Sequence, residues 1–231
     1  MILNNKMLEI IMLSIAISAC SNEDTSKTKV DDTPNTAISK DITAPKTATA
    51  NSSENKVEIS STFENKTFQD SIEMALLNEI NICYDTLHPD ERKKGMSLCS
   101  PENFAFYTYS DKISLENGFL LQVKAGVNDY PIRRLLFFIR ENGRLVSMNN
   151  VQGYLVEKRH NPSGFDDLVV SLVDNLDGTY QRYDVLLQYQ EGKYHLVEAL
   201  ADLYGPIETP EMKKNAKAFF EERIRKNKLM F

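Results

Sequence analysis

The sequence offers few side chains for acid–base, nucleophilic or metal chemistry. It contains three histidines, His88, His160 and His195. None of them has the spacing to a second ligand that zinc sites need, or to a nucleophile that a catalytic pair needs. The nucleophile-elbow pattern G-x-S-x-G is also missing from the sequence. The sequence therefore predicts no catalytic residue and no cofactor.

Acidic residues are densest in the segment 166–184, which contains Asp166, Asp167, Asp174, Asp177 and Asp184. The turn 173–178 is partly similar to a calcium loop, because Asn175, Asp177 and Gly178 fall in register. However, Val173 occupies the position of the first ligand. Asx–Gly turn chemistry in a hairpin loop explains the same residues without a metal. We therefore predict no metal site.

Two of the three cysteines, Cys83 and Cys99, are candidates for a disulfide. An isolated pair in one domain favours a disulfide when the protein resides in an oxidising compartment. Two separate buried thiols are the alternative. The CxxC spacing of redox and zinc sites is absent.

Tyrosines that share one strand face could bind a partner. In the predicted last hairpin, Tyr183, Tyr189 and Tyr194 lie on the same face as neighbouring Val and Leu residues. Packing in the core explains this pattern. A recognition surface is the alternative, because tyrosine is enriched in interfaces.

Arginines flank an apolar predicted strand and its hairpin. Arg134 and Arg140 begin and end the strand, and Arg133 and Arg144 lie beside them. Solvated strand ends explain this cluster. Contact with an anionic envelope polymer or an acidic partner is the alternative.

The N-terminus carries an export signal. A short apolar run over 10–17 follows Lys6, and it is too short for a membrane-spanning helix. The residues Ile17-Ser18-Ala19-Cys20 resemble the lipobox of bacterial lipoprotein precursors. This resemblance implies that residues 1–19 are removed and that the Cys20 thiol is diacylated, with palmitate-like chains anchoring the protein in a membrane. Ser21 after the lipidated cysteine implies sorting to the outer membrane, facing the periplasm.

Composition divides the rest of the chain into a linker and a domain. Residues 20–65 are rich in Ser, Thr, Asn, Asp and Lys and contain few large apolar residues, which predicts a disordered tether. The composition of residues 66–231 predicts one globular domain. The net charge of −6 argues against a nucleic-acid partner, because such partners require a basic face.

The domain begins and ends with a predicted helix. Apolar residues at three- and four-residue spacing predict a helix over 67–87, with Cys83 on the buried face of its last turn. A last helix is predicted over 210–226, where Thr209 is a favourable N-cap and Pro210 suits the first turn.

Between these helices the sequence predicts strands joined by short turns. Asn142-Gly143 predicts a type I′ hairpin, and Glu191-Gly192 predicts a second tight hairpin. The predicted strands are 104–109, 119–124, 134–140, 144–148, 152–157, 168–173, 183–189 and 194–199. The fold class is therefore α+β, with an antiparallel sheet of about six to eight strands and a helix at each end.

Several predicted strands are apolar on both faces, for example 135–139 and 119–121. Antiparallel sheets usually keep one face wet. The sheet therefore either curls upon itself, which we favour, or leaves an apolar face for a ligand. The function that we expect is a lipid-anchored, non-catalytic binding or accessory module of the cell envelope, with a protein or envelope polymer as its partner. The alternatives are a periplasmic immunity or inhibitor protein and, third, a hydrolase that uses scattered carboxylates.

Overall fold

The computed structural model describes residues 55–60, 62–84, 95–176 and 178–231. The lipobox, Cys20, most of the predicted tether and the loop around His88 lie outside the described residues. Neither helix of the described part of the chain is long and apolar enough to cross a membrane.

The described residues form an α+β fold, as the sequence predicts. Nine strands make one antiparallel sheet, and two further short strands pair in parallel beside it. The order within the large sheet is β11-β10-β9-β8-β7-β6-β5-β4, with β1 paired to β7. The helices are α1 (Ser71–Glu79) and α2 (Pro210–Asn227), and the strands are β1 (Lys56–Glu58), β2 (Cys83–Tyr84), β3 (Ser97–Leu98), β4 (Phe104–Tyr107), β5 (Gly118–Val123), β6 (Arg134–Glu141), β7 (Arg144–Arg159), β8 (Asp167–Leu176), β9 (Thr179–Gln190), β10 (Lys193–Asp202) and β11 (Gly205–Pro206).

The sheet curls so that strands distant in its order meet on one side. The ring of Tyr109, just after β4, lies 5.9 Å from the ring of Tyr194 in β10. The side chain of Asn149 in β7 also accepts a hydrogen bond from the backbone N–H of Tyr194 at 2.8 Å. A flat sheet would keep these strands far apart, because neighbouring strands are spaced by about 4.8 Å. The prediction of a curled antiparallel sheet is confirmed.

Curling explains why the middle strands are apolar on both faces. Leu120 of β5 faces the enclosed side, whereas Phe119 and Leu121 face the opposite side, and all three are fully buried. The enclosed side holds the inner cluster: Tyr109, Leu120, Leu135, Phe137, Val151, Leu155, Leu168, Val170, Leu172, Tyr183, Val185, Leu187, Tyr194, Ala199, Ile207 and Phe220. The other side holds the outer cluster: Leu76, Leu77, Ile82, Cys83, Cys99, Phe104, Phe119, Leu121, Val123, Val127 and Leu136. Helix α2 contributes to the inner cluster and α1 to the outer cluster.

Both predicted hairpin turns are present. Asn142 and Gly143 have φ values of 51° and 78°, and Glu191 and Gly192 have φ values of 50° and 88°. Two consecutive positive φ values are the signature of a type I′ turn. The second turn sets the pairing of Tyr189 with Tyr194.

The two strands predicted over 144–148 and 152–157 are one continuous strand, β7. Its first part pairs with β6 through Arg134–Glu141, and its second part pairs with β8. The register against β6 shifts between Phe137 and Phe138, which marks a bulge. The polar residues Asn149 and Asn150 remain paired with Phe137 and Leu136 beside this bulge, so the strand continues through the polar pair.

The prediction of a helix over 67–87 is wrong at both ends. Helix α1 starts after Asp70, whose carboxylate accepts a hydrogen bond from the first turn at 2.9 Å. Shortly after its end, Asn81 adopts a left-handed φ of 54°, which an α-helix cannot contain. Cys83 consequently lies in β2 rather than in the last helical turn. It still forms the predicted disulfide with Cys99, with a Cα–Cα distance of 5.2 Å.

The last helix is confirmed with almost the predicted bounds. The hydroxyl oxygen of Thr209 accepts a hydrogen bond from the backbone N–H of Met212 at 3.2 Å. Lys228 ends α2 in a left-handed conformation. The chain then returns to the sheet, where Met230 bridges to Val151 of β7.

Candidate functional site

All three predicted tyrosines pack in or against the inner cluster: Tyr183 and Tyr194 are buried in it, and Tyr189 is partly buried against it. Tyr194 is 1% exposed, and its hydroxyl donates a hydrogen bond to the carbonyl of Asp166 at 2.9 Å. Tyr189 stacks on Phe165 with ring centroids 3.8 Å apart and contacts the edge of Tyr194. Burial raises the pKa of the Tyr194 hydroxyl far above its ordinary range. The contact of Tyr194 with Tyr109 joins β10 to the end of β4 across the curled sheet.

The third tyrosine, Tyr183, lies apart from these two rings and faces helix α2. Its ring centroid is 4.6 Å from that of Phe220 and 6.2 Å from that of Phe219. Its hydroxyl donates a hydrogen bond to Gln181 at 2.5 Å. The structure therefore packs the three tyrosines in or against the inner cluster rather than on one exposed surface. Tyr183 lines the groove described below, and Tyr194 lines a separate cavity beside Met148 and His195.

The two predicted arginines bind groups of the protein itself. Arg134 donates hydrogen bonds to Gln152 at 3.1 Å and to Asn150 at 3.4 Å, and its guanidinium lies over the ring of Tyr130. Arg140 donates to both carboxylate oxygens of Glu79 at 2.8 Å and so ties β6 to α1. Six residues along a strand separate the two arginines, which corresponds to about 20 Å.

The acidic residues of the segment 166–184 do not form one site. Among the described residues, no group of three or more His, Cys, Asp or Glu side chains could hold a metal ion. Gly178 donates its backbone N–H to the side chain of Asn175 at 3.1 Å, as an Asx turn requires. Asp177 lies outside the described residues. Asp166 pairs with Lys158 and His160, Asp167 pairs with Gln188, and both accept a hydrogen bond from Asn161. Asp174 pairs with Arg223 and Asn227, and Asp184 with Ser171 and Arg182.

The candidate site is a groove between helix α2 and the strands β9–β11. Its volume is about 430 Å³, and its surface is mainly apolar. Tyr183 and Phe220 form its buried floor, and Phe219 forms one wall. We call it the α2 groove, and its lining residues are Gln181, Tyr183, Asp202, Leu203, Tyr204, Asn215, Ala216, Phe219 and Phe220.

The second wall is the tip of the hairpin between β10 and β11. Leu203 and Tyr204 occupy the two turn positions, and they are 58% and 93% exposed. The turn is fixed by Asp202, whose side chain accepts a hydrogen bond from the backbone N–H of Tyr204 at 2.8 Å. Turn positions usually carry Gly, Asn, Asp or Pro. Two large apolar side chains at an exposed tip do not help to form this turn.

Helix α2 is attached to β8 through the side chain of Asp174. Arg223 forms an ion pair with the buried Asp174 of β8 through its Nε atom at 3.0 Å and through Nη2. Asn227 donates to both oxygens of the same carboxylate at 2.8 and 2.9 Å. The hydrogen bond to Asp174 raises the pKa of the Arg223 guanidinium. The ion pair of Arg223 and the hydrogen bonds of Asn227 thus attach the C-terminal half of α2 to β8.

The groove-facing side of α2 keeps apolar side chains in solvent. Phe219, which lines the groove, is 50% exposed, and Met212, two turns earlier in the helix, is 51% exposed, whereas Phe220 is buried. The side chains around the groove offer apolar contact and a few hydrogen bonds, which suit binding of a partner segment.

The sequence predicts that Tyr183 lies on an apolar strand face, but it does not predict the groove. The groove depends on contacts between α2 and a hairpin tip, which no local pattern encodes. One signal was present. Leu203-Tyr204 directly precedes Gly205-Pro206, so a pair of apolar residues stands where the sequence itself predicts a turn.

No protein-family model, no curated protein and no solved structure matches this chain. The described residues form an α+β domain with a curled antiparallel sheet, the Cys83–Cys99 disulfide and an exposed apolar groove.

Proposed function

We propose that this protein is a lipid-anchored binding module of a bacterial cell envelope, and that it binds a protein partner in the α2 groove. The observation that carries the proposal is the exposure of Leu203, Tyr204 and Phe219 around one apolar cavity. Exposed apolar residues that converge on a cavity are typical of interaction sites, whereas single scattered ones are not.

The composition of the groove suits a protein partner. Aromatic residues, above all tyrosine, are enriched in the energetically dominant part of interfaces. Tyr204 and Phe219 flank a buried floor, so that a partner side chain inserted between them would be removed from water on three sides. Burial of one large apolar side chain contributes about 1.5–3 kcal/mol.

The anchor part of the proposal rests on the lipobox. Acyl chains on Cys20 and a tether would place the domain near a membrane while leaving the groove accessible. Replacement Cys20→Ser removes the acylated thiol. We expect the variant to appear in the soluble envelope fraction, whereas the wild-type chain fractionates with membranes and carries acyl mass by mass spectrometry. A wild-type chain without acyl mass contradicts the anchor.

Site-specific photo-crosslinking in intact cells tests the groove. A photoreactive phenylalanine analogue is placed at position 219, and in a matched chain at position 180. Tyr180 is 58% exposed but does not line the groove, so it controls for exposure alone. We expect one discrete protein adduct from position 219 and none from position 180.

Equal adducts from both positions, or no adduct from position 219, would contradict the proposal. The identity of the partner in the adduct decides between two roles. A native envelope protein indicates an accessory module, and a toxin or lytic enzyme indicates an immunity protein.

A further inference from the structure

The α2 groove combines an apolar interior with one charged group at its rim. Among the described residues that line it, Asp202 is the one that carries a charge, whereas Gln181 and Asn215 are neutral and polar. The groove therefore combines apolar contact with a single negative charge.

The carboxylate of Asp202 is placed to receive a further partner. Its Oδ1 atom accepts the hydrogen bond from Tyr204 that fixes the hairpin tip. No other hydrogen bond or ion pair to this carboxylate is found among the described residues. Its second oxygen is thus available beside Leu203 and Tyr204, the apolar residues of the tip.

We infer that the occupant of the α2 groove is a protein segment with an aromatic or large aliphatic side chain next to a lysine or arginine. The inference rests on the proposed function and names the chemistry of its partner. The apolar side chain enters between Tyr204 and Phe219 and contacts the rings of Tyr183 and Phe220. The neighbouring cation pairs with the carboxylate of Asp202.

Charge complementarity selects this occupant. A segment with an acidic residue beside its anchor would bring a like charge to Asp202, which costs binding free energy. A purely apolar ligand would remove part of the water around the Asp202 carboxylate without giving it a partner. The free-energy cost of this partial desolvation would not be offset. A basic neighbour removes both penalties.

The test uses random peptide display against the full chain with Cys20→Ser, followed by titration of the enriched peptides. We expect enriched sequences to contain an aromatic or aliphatic residue within three positions of Lys or Arg. Phe219→Ser should weaken binding at least about tenfold, as expected for loss of a central aromatic contact. Tyr180→Ser should leave the affinity unchanged.

Asp202→Asn isolates the charge, because the asparagine side chain can still accept the hydrogen bond from Tyr204. A rim ion pair is weak, so we expect a loss of about two- to fivefold in affinity at low salt. The affinity of the wild-type chain should fall as salt rises, and the affinity of Asp202→Asn should change little, because salt screens the ion pair.

Enrichment of apolar peptides without a basic residue, together with equal affinity of Asp202→Asn and the wild type, would overturn the inference and leave the proposed function standing. Failure to enrich any peptide would overturn the inference as well. The proposed function itself fails separately, through the missing adduct from position 219.

Discussion

The two helices of the domain use their apolar residues differently. In α1, the apolar side chains Ile72, Met74, Leu76 and Leu77 are all at least partly buried and pack into the outer cluster. In α2, Phe220 is buried in the inner cluster, whereas Met212 and Phe219 are half exposed. Helix α1 thus covers one face of the sheet, and α2 both covers the other face and presents a surface to solvent.

The helices are also fixed in different ways. Helix α1 is followed by the disulfide Cys83–Cys99 and is tied to the sheet by an exposed ion pair between Glu79 and Arg140. Helix α2 is fixed by the buried ion pair of Asp174 with Arg223. Helix α1 is thus fixed by a covalent bond next to it and an exposed ion pair, and α2 by a buried ion pair.

The largest expected effect concerns the buried ion pair under α2. Asp174→Ala leaves the Arg223 guanidinium without its partner in a largely buried position, so we expect a loss of about 3–5 kcal/mol in the free energy of unfolding. Urea denaturation measures this loss. In the background of Arg223→Met, the same substitution should cost much less. A loss below about 1 kcal/mol in the wild-type background would show that the ion pair does not fix α2.

Removal of the disulfide that follows α1 should have the second-largest effect on stability. Sixteen positions separate Cys83 and Cys99, and closing a loop of this length contributes about 3 kcal/mol in the chain-entropy treatment. Replacing both cysteines with alanine should lower the free energy of unfolding by about 3 kcal/mol. Hydrogen exchange should rise first in α1 and much less in α2. A uniform rise in both helices would mean that the two sides of the sheet unfold as one unit.

Much of the fold follows from local patterns. Asn142-Gly143 and Glu191-Gly192 determine two hairpins, and Thr209-Pro210 determines the start of α2, because each acts within a few residues. The end of α1 at the left-handed Asn81 was not predictable, since apolar spacing continues through Cys83. The apolar stripe there packs into the outer cluster without remaining helical.

The groove could not be predicted for a different reason. Its walls are more than ten residues apart in the chain, and the side chain of Asp174, which positions α2, forms contacts across forty-nine and fifty-three positions. Sequence spacing carried no information on these contacts. In the sequence, Asp174 is one of several acidic residues in the segment 166–184, and this pattern does not predict a contact with α2.

A smaller, pH-dependent effect is expected at the start of α1. Burial raises the pKa of the Glu73 carboxyl in the folded state. The folded state therefore binds this proton more tightly than the unfolded state. The resulting stabilisation is fully present below the unfolded pKa and is lost as the pH rises through the folded pKa.

Glu73→Gln removes this titration and retains an oxygen that can accept the hydrogen bond from Gln69. We expect the variant to gain stability relative to the wild type at pH 7 and to lose that advantage at pH 4. Thermal unfolding at both pH values measures it. If Glu73→Gln stabilised the protein more at pH 4 than at pH 7, the expected direction of the pH dependence would be wrong.

Substitution of Tyr204 at the tip of the β10–β11 hairpin should have the smallest effect on stability. Tyr204→Ser removes a ring that is 93% exposed, so the free energy of unfolding should change by no more than about 0.5 kcal/mol. Leu77→Ala in α1 is the reference, because it removes a fully buried side chain and should cost about 2–5 kcal/mol. A large loss from Tyr204→Ser would mean that the exposed tip serves folding rather than binding.

The most direct test of the central claim combines the two walls of the groove. The photoreactive analogue is kept at position 219, and Tyr204→Ser or Tyr180→Ser is added to the same chain. Our account predicts that the partner adduct is lost with Tyr204→Ser and retained with Tyr180→Ser, while the unfolding midpoint stays the same in both. Retention of the adduct in both variants would contradict binding in the α2 groove.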